Sequence, residues 1–87
     1  MAYVYILQSE KNGNYYIGST INIEKRLKRH LSGGVPYTKP YLPVKLLLQQ
    51  EYLSLGAVRK VEYWLKQLKR HDLVEKIVRD KYIKYTP

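Results

Sequence analysis

The chain has 87 residues, enough for one small domain with a modest core, and 45% of them are apolar, as expected of a sequence that folds. There is no cysteine, which excludes disulfides and thiolate metal sites and fits a reducing compartment. Lys and Arg total 16 against 7 Asp and Glu, and the net charge of +9 favours polyanions through steering and counterion release, with nucleic acid the expected partner.

Residues 2–8 read as a strand, with Tyr3, Tyr5 and Leu7 on one face and Val4 and Ile6 on the other. This apolar start is too short for a signal-peptide core, and no stretch approaches a membrane span. A cytoplasmic protein, free or associated with the nucleoid and without a membrane partner, is expected. Asn12-Gly13 is a hairpin signal, and residues 15–18 form the returning strand. A two-residue turn there would pair Lys11 with Asn14. Tyr5 and Tyr16 would then share a face but lie four residues apart, about 13 Å along the strand.

Gly18-Ser19-Thr20 ends this strand, and Thr20 or Asn22 is placed to cap a helix. Ile23, Leu27 and Leu31 form its expected buried stripe, Arg26 and His30 border one edge, and Lys25, Lys28 and Arg29 cover the outer face. Arg26 suits either a salt bridge to Glu24 or Glu10 or a phosphate contact. The glycines and prolines of residues 32–43 make a loop, and residues 44–52 a third strand, preferred over a helix by Pro43 and the short apolar run. Ser54 caps a helix over 55–70 with Val58, Val61, Leu65 and Leu68 inward, Ala57 and Trp64 widening the stripe, and Glu62 at its other edge. Asp72-Leu73-Val74-Glu75 is a capping-box pattern opening a last helix, and the basic, aromatic residues 81–87 are expected to fray. No linker divides the chain, so residues 1–87 are expected to be one domain.

Phosphodiester hydrolysis needs an activated nucleophile, a counter-charge on the phosphate and help for the leaving oxygen. The chain offers phenols at Tyr5 and Tyr16, cations at Arg26 and His30, and a carboxylate at Glu62. A lone carboxylate beside lysines forms an i,i+4 surface pair, here with Lys66, or serves as a ligand to Mg²⁺, which needs only one or two. No cluster of acids suits a two-metal site, and no P-loop, dinucleotide-binding or zinc-protease motif is present.

Tyr3-Val4-Tyr5 followed by Tyr16-Ile17-Gly18 resembles the paired tripeptides of the GIY-YIG nuclease superfamily, although the first departs from Gly-Ile-Tyr at two positions. The resemblance continues through Gly18-Ser19-Thr20, Asn22, Arg26-Leu27 and His30. Tyr37-Thr38-Lys39, Pro43-Val44 and Glu62 with Leu65-Lys66 look like the compact bacterial single-domain branch. It implies an α+β fold, a small three-stranded antiparallel sheet flanked by helices, and DNA endonuclease chemistry with one divalent ion, Mg²⁺ or Mn²⁺. Carried over, Glu62 would hold the metal, Arg26 would stabilise the pentacovalent phosphate, and Tyr16 or Tyr5 would deprotonate or orient water. His30 would assist, and Gly18 would give the backbone room. Lys25, Arg29, Lys39, Lys66 and Lys69 are the expected nucleic-acid contacts.

The preferred reading is a metal-dependent DNA endonuclease, structure-selective and acting in repair or recombination, with a protein partner supplying targeting. The alternative is a non-catalytic DNA- or RNA-binding module on the same scaffold. A tyrosine acting as covalent nucleophile is a third reading, distinguished by protein-linked DNA on a denaturing gel.

Overall fold

The computed structural model describes residues 1–68 and 71–85. Strand β1 (Ala2–Ser9) lies between β2 (Tyr15–Thr20) and β3 (Val44–Tyr52), and both neighbours run antiparallel to it. Three α-helices complete the fold, α1 (Ile23–Leu31), α2 (Leu55–Leu68) and α3 (His71–Asp80), with a short 3₁₀ turn over Lys39–Tyr41 that the proline-rich loop did not announce. This is the expected α+β arrangement. Lys69 lies outside the described residues, as do the last two positions of the helix expected over 55–70.

The central strand explains the apolar run at the start of the sequence, because both of its faces are covered. Ala2, Val4 and Ile6 pack with Leu48 of β3 and with Val58, Val61, Leu65 and Val74 of the two C-terminal helices. Tyr5 and Leu7 face the other way, with Tyr16, Val44 and Leu46, against Ile23 and Leu27 of α1. Leu46 and Leu48 reach opposite faces despite their even spacing. A bulge between Ile6 and Leu7 pairs Ile6 with Leu48 but Leu7 with Leu46, which resets the alternation.

The hairpin register differs from the expectation. Tyr5 pairs with Gly18 and Leu7 with Tyr16, so Lys11 and Asn14 lie in a wider loop. The buried Ser9 is the physical reason. Its hydroxyl accepts the backbone N–H groups of Lys11 and Asn12, at 3.0 and 3.2 Å, and donates to the Tyr41 carbonyl at 2.6 Å. Only Gly13 of the Asn-Gly pair takes a positive φ. The shift is an even number of residues, so Tyr5 and Tyr16 keep a common face and their offset falls to two residues, about 7 Å.

Asn22, rather than Thr20, caps α1, its Oδ1 accepting the Lys25 N–H at 3.0 Å. The inward face of α1 is not the one expected. Leu31 is 53% exposed, whereas His30 is buried, so the sheet-facing positions are Ile23, Arg26, Leu27 and His30. That is an i, i+3, i+4, i+7 face, and it carries Arg26 and His30 into the contact layer instead of leaving them at its rim. Ser54 caps α2 as expected, accepting the Ala57 N–H at 3.1 Å. Asp72 already stands in the first turn of α3 rather than ahead of it.

Over residues 81–85 the C-terminal segment corrects another expectation, that of fraying, while residues 86 and 87 lie outside the described ones. Ile83 is 0% exposed and belongs to the core. The Gln50 amide clasps its backbone, accepting the Ile83 N–H at 2.8 Å and donating to the Ile83 carbonyl at 3.1 Å. The Tyr52 hydroxyl donates to the Tyr85 carbonyl at 3.0 Å, and the Tyr85 ring stacks on Trp64. Among the described residues, no helix is long and apolar enough to cross a membrane.

Candidate active site

Tyr5 organises the site. Its hydroxyl lies 3.0 Å from His30 Nε2, and His30 Nδ1 lies 2.9 Å from Thr38 Oγ1. Both the ring of His30 and Thr38 are buried, so each polar atom needs its partner. Thr38 Oγ1 also faces the Val35 carbonyl at 3.5 Å. The donor pattern that satisfies all of these groups has Thr38 donating to Val35 and accepting Nδ1–H. Nε2 then accepts the Tyr5 proton.

Charges around the pair oppose and balance one another. Burial pushes the Tyr5 phenol above its ordinary value, while the neighbouring Arg26 guanidinium pulls it back down. The charges of Glu62 and Lys66 also reach this hydroxyl, with opposite signs. His30 is held below its ordinary value near 6.5 by burial first, then by the cationic Arg26 and Arg29. At neutral pH the pair is therefore a phenol donating to an uncharged imidazole.

The depressed His30 has a consequence for stability. Between 6.5 and its lower folded value the unfolded chain binds the proton that the folded one refuses, so stability is lost as pH falls through that window. Urea midpoints should drop on acidification from pH 7 to pH 5, and less steeply in His30→Gln, whose amide does not titrate. Equal slopes in the two proteins would refute the assignment.

Glu62 approaches from the opposite side of the sheet, on α2. Ser19 Oγ donates to its Oε1 at 2.6 Å, and Lys66 Nζ donates to its Oε2 at 2.6 Å. The expected i,i+4 pair is present, and Arg26 forms no salt bridge with Glu24 or Glu10. Among the described residues, no group of three or more His, Cys, Asp or Glu gathers in one place. The donor set fits a hard divalent ion that keeps most of its waters: one carboxylate, fixed on one oxygen by a hydroxyl and paired on the other with a lysine that is 55% exposed. Such an exposed pair is worth only about 0.2–1 kcal/mol, so Lys66 would yield the carboxylate to a divalent ion at little cost.

The cleft beside Tyr5 has a volume of about 870 Å³ and runs along the free edge of β2. Tyr5, Tyr16, His30, Tyr37, Tyr41 and Lys66 are among the residues lining it. Tyr16 stands apart from the Tyr5 network. Its ring stacks on Tyr41 with centroids 5.7 Å apart and meets Tyr37 edge-on at 5.5 Å. Its hydroxyl has one long contact, 3.5 Å from Asn12 Nδ2. Lys25, Arg29 and Lys39 are exposed, and Gly18 lies opposite Tyr5 in the sheet.

The structure thus bonds Tyr5 to His30, puts the charges of Arg26, Glu62 and Lys66 within electrostatic reach of the Tyr5 hydroxyl, and leaves Tyr16 on the aromatic wall. Ser19 and Thr38, which bond to Glu62 and His30, stand inside motifs that carry the resemblance, but no role of their own follows from it. A hydroxyl 8 or 43 residues from its partner is invisible to periodicity.

A phenol bonded to an imidazole, with a guanidinium beside it and a carboxylate within electrostatic reach, supplies the kinds of group that phosphodiester chemistry requires. A family model described as the GIY-YIG catalytic domain matches residues 1–77, and the chain belongs to this family, a nuclease superfamily. It is 45% identical over 78 residues to a UPF0213 protein of Syntrophus aciditrophicus, covering 86% of this chain and 87% of the relative. A UPF0213 protein of Streptococcus pneumoniae serotype 4 is 43% identical over 70 residues, 79% of this chain and 70% of the relative. The solution NMR structure of a UPF0213 protein from Bacillus halodurans superposes with a TM-score of 0.58 and 31% identity, covering 93% of this chain and 87% of that one.

Proposed function

We propose that this protein is a metal-dependent DNA endonuclease, using the Tyr5–His30 pair to activate water. The buried hydrogen bond between the Tyr5 hydroxyl and His30 Nε2 carries the reading, because it gives a phenol somewhere to send its proton at neutral pH. Water attacking phosphorus gives a proton to the Tyr5 oxygen as the Tyr5 proton passes to Nε2, the bond from phosphorus to the leaving sugar oxygen breaks, and that oxygen takes a proton from solvent. Arg26, beside that oxygen, supplies positive charge to the phosphate as its negative charge grows. Thr38 holds the tautomer that leaves Nε2 open, and Ser19 aims Glu62. Glu62 would hold Mg²⁺ or Mn²⁺, which when bound neutralises phosphate charge and assists the leaving oxygen. Tyr16, with Tyr37 and Tyr41, is assigned to the wall along which the substrate lies. Lys25, Arg29, Lys39 and Lys66 contact its backbone, and a role in repair or recombination on structured DNA, with a partner for targeting, is proposed with them.

The test is nicking of supercoiled plasmid with Mg²⁺ or Mn²⁺, with chelator, and with Arg26→Ala. Chelator should abolish nicking, and Arg26→Ala should lower it by about 10²–10³ while leaving the fold intact. Undiminished nicking by Arg26→Ala would remove it from the mechanism. A second reading, a binding module without catalysis, is favoured by Lys66 sitting on Glu62. It predicts salt-sensitive binding and no cleavage under any metal.

A further inference from the structure

Helix α2 carries a second set of side chains away from Glu62, exposed at Arg59, Lys60, Tyr63 and Gln67 and resting on the edge of the core at Trp64. Arg59, Lys60, Tyr63, Trp64 and Gln67 recur at i, i+1, i+4, i+5 and i+8, a stripe along two turns of the helix, and Tyr85 closes it from the C-terminal segment. Together they line a groove of about 460 Å³. Its floor is aromatic, since Trp64 and Tyr85 stack with centroids 4.9 Å apart and planes inclined by 11°. Tyr63 is 66% exposed, so its ring face is open to a ligand. Arg59 and Lys60 supply the charge, and among the described lining residues there is no carboxylate.

We propose that this groove binds single-stranded nucleic acid, with bases stacked on Tyr63 and the Trp64–Tyr85 pair and phosphates on Arg59 and Lys60. Charge complementarity selects a polyanion, and the rings select one with exposed base faces. A duplex hides those faces, whereas every unpaired base has one to offer. An acidic peptide would satisfy the two cations but gain nothing specific from coplanar rings. Glu62 and Lys66 lie on the neighbouring flank of the same helix, so a strand in the groove continues towards the proposed cutting site. The inference rests on the nuclease reading for the identity of the polyanion as nucleic acid, and it adds an unpaired segment to the substrate that reading describes. It also explains why the C-terminal segment is pinned by Gln50 and Tyr52: those bonds fix Tyr85 against Trp64.

Trp64 is the only tryptophan, so its selectively excited fluorescence reports on this groove alone. The full chain, in chelator to prevent cutting, is titrated with an oligothymidylate strand, with a duplex of equal length, and with polyglutamate. The strand should quench Trp64, and the duplex and polyglutamate should not do so at the same concentration. Tyr63→Ala should weaken strand binding about tenfold. The Arg59→Ser/Lys60→Ser pair should reduce the slope of log affinity against log salt by about 0.7 per charge removed. All three side chains are exposed, so the variants keep the fold. Binding without quenching, quenching indifferent to these variants, equal quenching by polyglutamate, or no binding would each overturn the proposal. Plasmid nicking by the same proteins with metal separates the two readings. Quenching without nicking leaves the groove standing and the nuclease fallen, and nicking without quenching does the reverse.

Discussion

Glu62→Ala is expected to lower metal-dependent nicking by about a thousandfold, the upper range for losing one group that stabilises charge in a transition state. The reason is that among the described residues Glu62 belongs to no group of three or more His, Cys, Asp or Glu that could hold the ion without it. The side chain is only partly buried and its partners are a serine and an exposed lysine, so the midpoint of urea unfolding should hardly move. Lys66→Ala gives the informative contrast. Removing the ammonium from Oε2 frees that oxygen, so half-maximal activity should need about 1.5- to 5-fold less metal, the equivalent of a surface pair worth 0.2–1 kcal/mol. The same variant should bind DNA more weakly at every sequence, because one phosphate-directed charge is gone. Wild-type nicking by Glu62→Ala would remove the metal role. An unchanged or increased metal requirement in Lys66→Ala would mean that the lysine does not compete for the site.

Those two residues also illustrate what the sequence makes legible. Their i,i+4 spacing announces the pair, the Ser54 cap and the Val58-Val61-Leu65 stripe announce the helix, and short apolar runs bounded by Asn-Gly and by Pro43 announce the strands. Local chemistry of this kind repeats within a few residues and can be counted. The parity of Tyr5 and Tyr16 survived for the same reason, since a register shift of two residues leaves every side chain on its face. The register itself was not legible, because Ser9 satisfies two turn N–H groups with its side chain and widens a loop that Asn-Gly would otherwise have closed tightly. His30 displaced Leu31 from the inward face of α1 because Tyr5 and Thr38, 25 and 8 residues away, give both ring nitrogens partners in a buried place. Hydropathy alone would never bury the histidine and expose the leucine. The pinned C-terminal segment depends on Gln50, 33 residues from Ile83, and no periodicity within the segment could reveal that clasp. In each case the missing information is a partner supplied by the tertiary fold.

Gly18→Ala tests whether that fold, and not merely the presence of Tyr5, makes the site. Gly18 does not occupy the left-handed region, so its requirement is for space. It pairs with Tyr5 across β1 and β2, and a Cβ built on it would overlap the Tyr5 hydroxyl and ring. Tyr5 is buried and its ring meets His30 edge-on, so it has little room to retreat without giving up Nε2. The alanine variant should lose about 1–3 kcal/mol of stability by overpacking, read from its urea midpoint. It should also lose nicking activity by about 10²–10⁴, as expected of Tyr5→Phe, which removes the hydroxyl outright. If both changes act through the same hydrogen bond, Gly18→Ala combined with Tyr5→Phe should nick no more slowly than Tyr5→Phe alone. Two losses that multiplied instead would mean that Gly18 serves the site by another route, such as room for the substrate backbone. A Gly18→Ala protein with full activity would mean that Tyr5 can do its work without His30. The stability loss would then belong to the packing of the corner alone, and the buried phenol–imidazole bond would be a structural contact rather than a path for a proton.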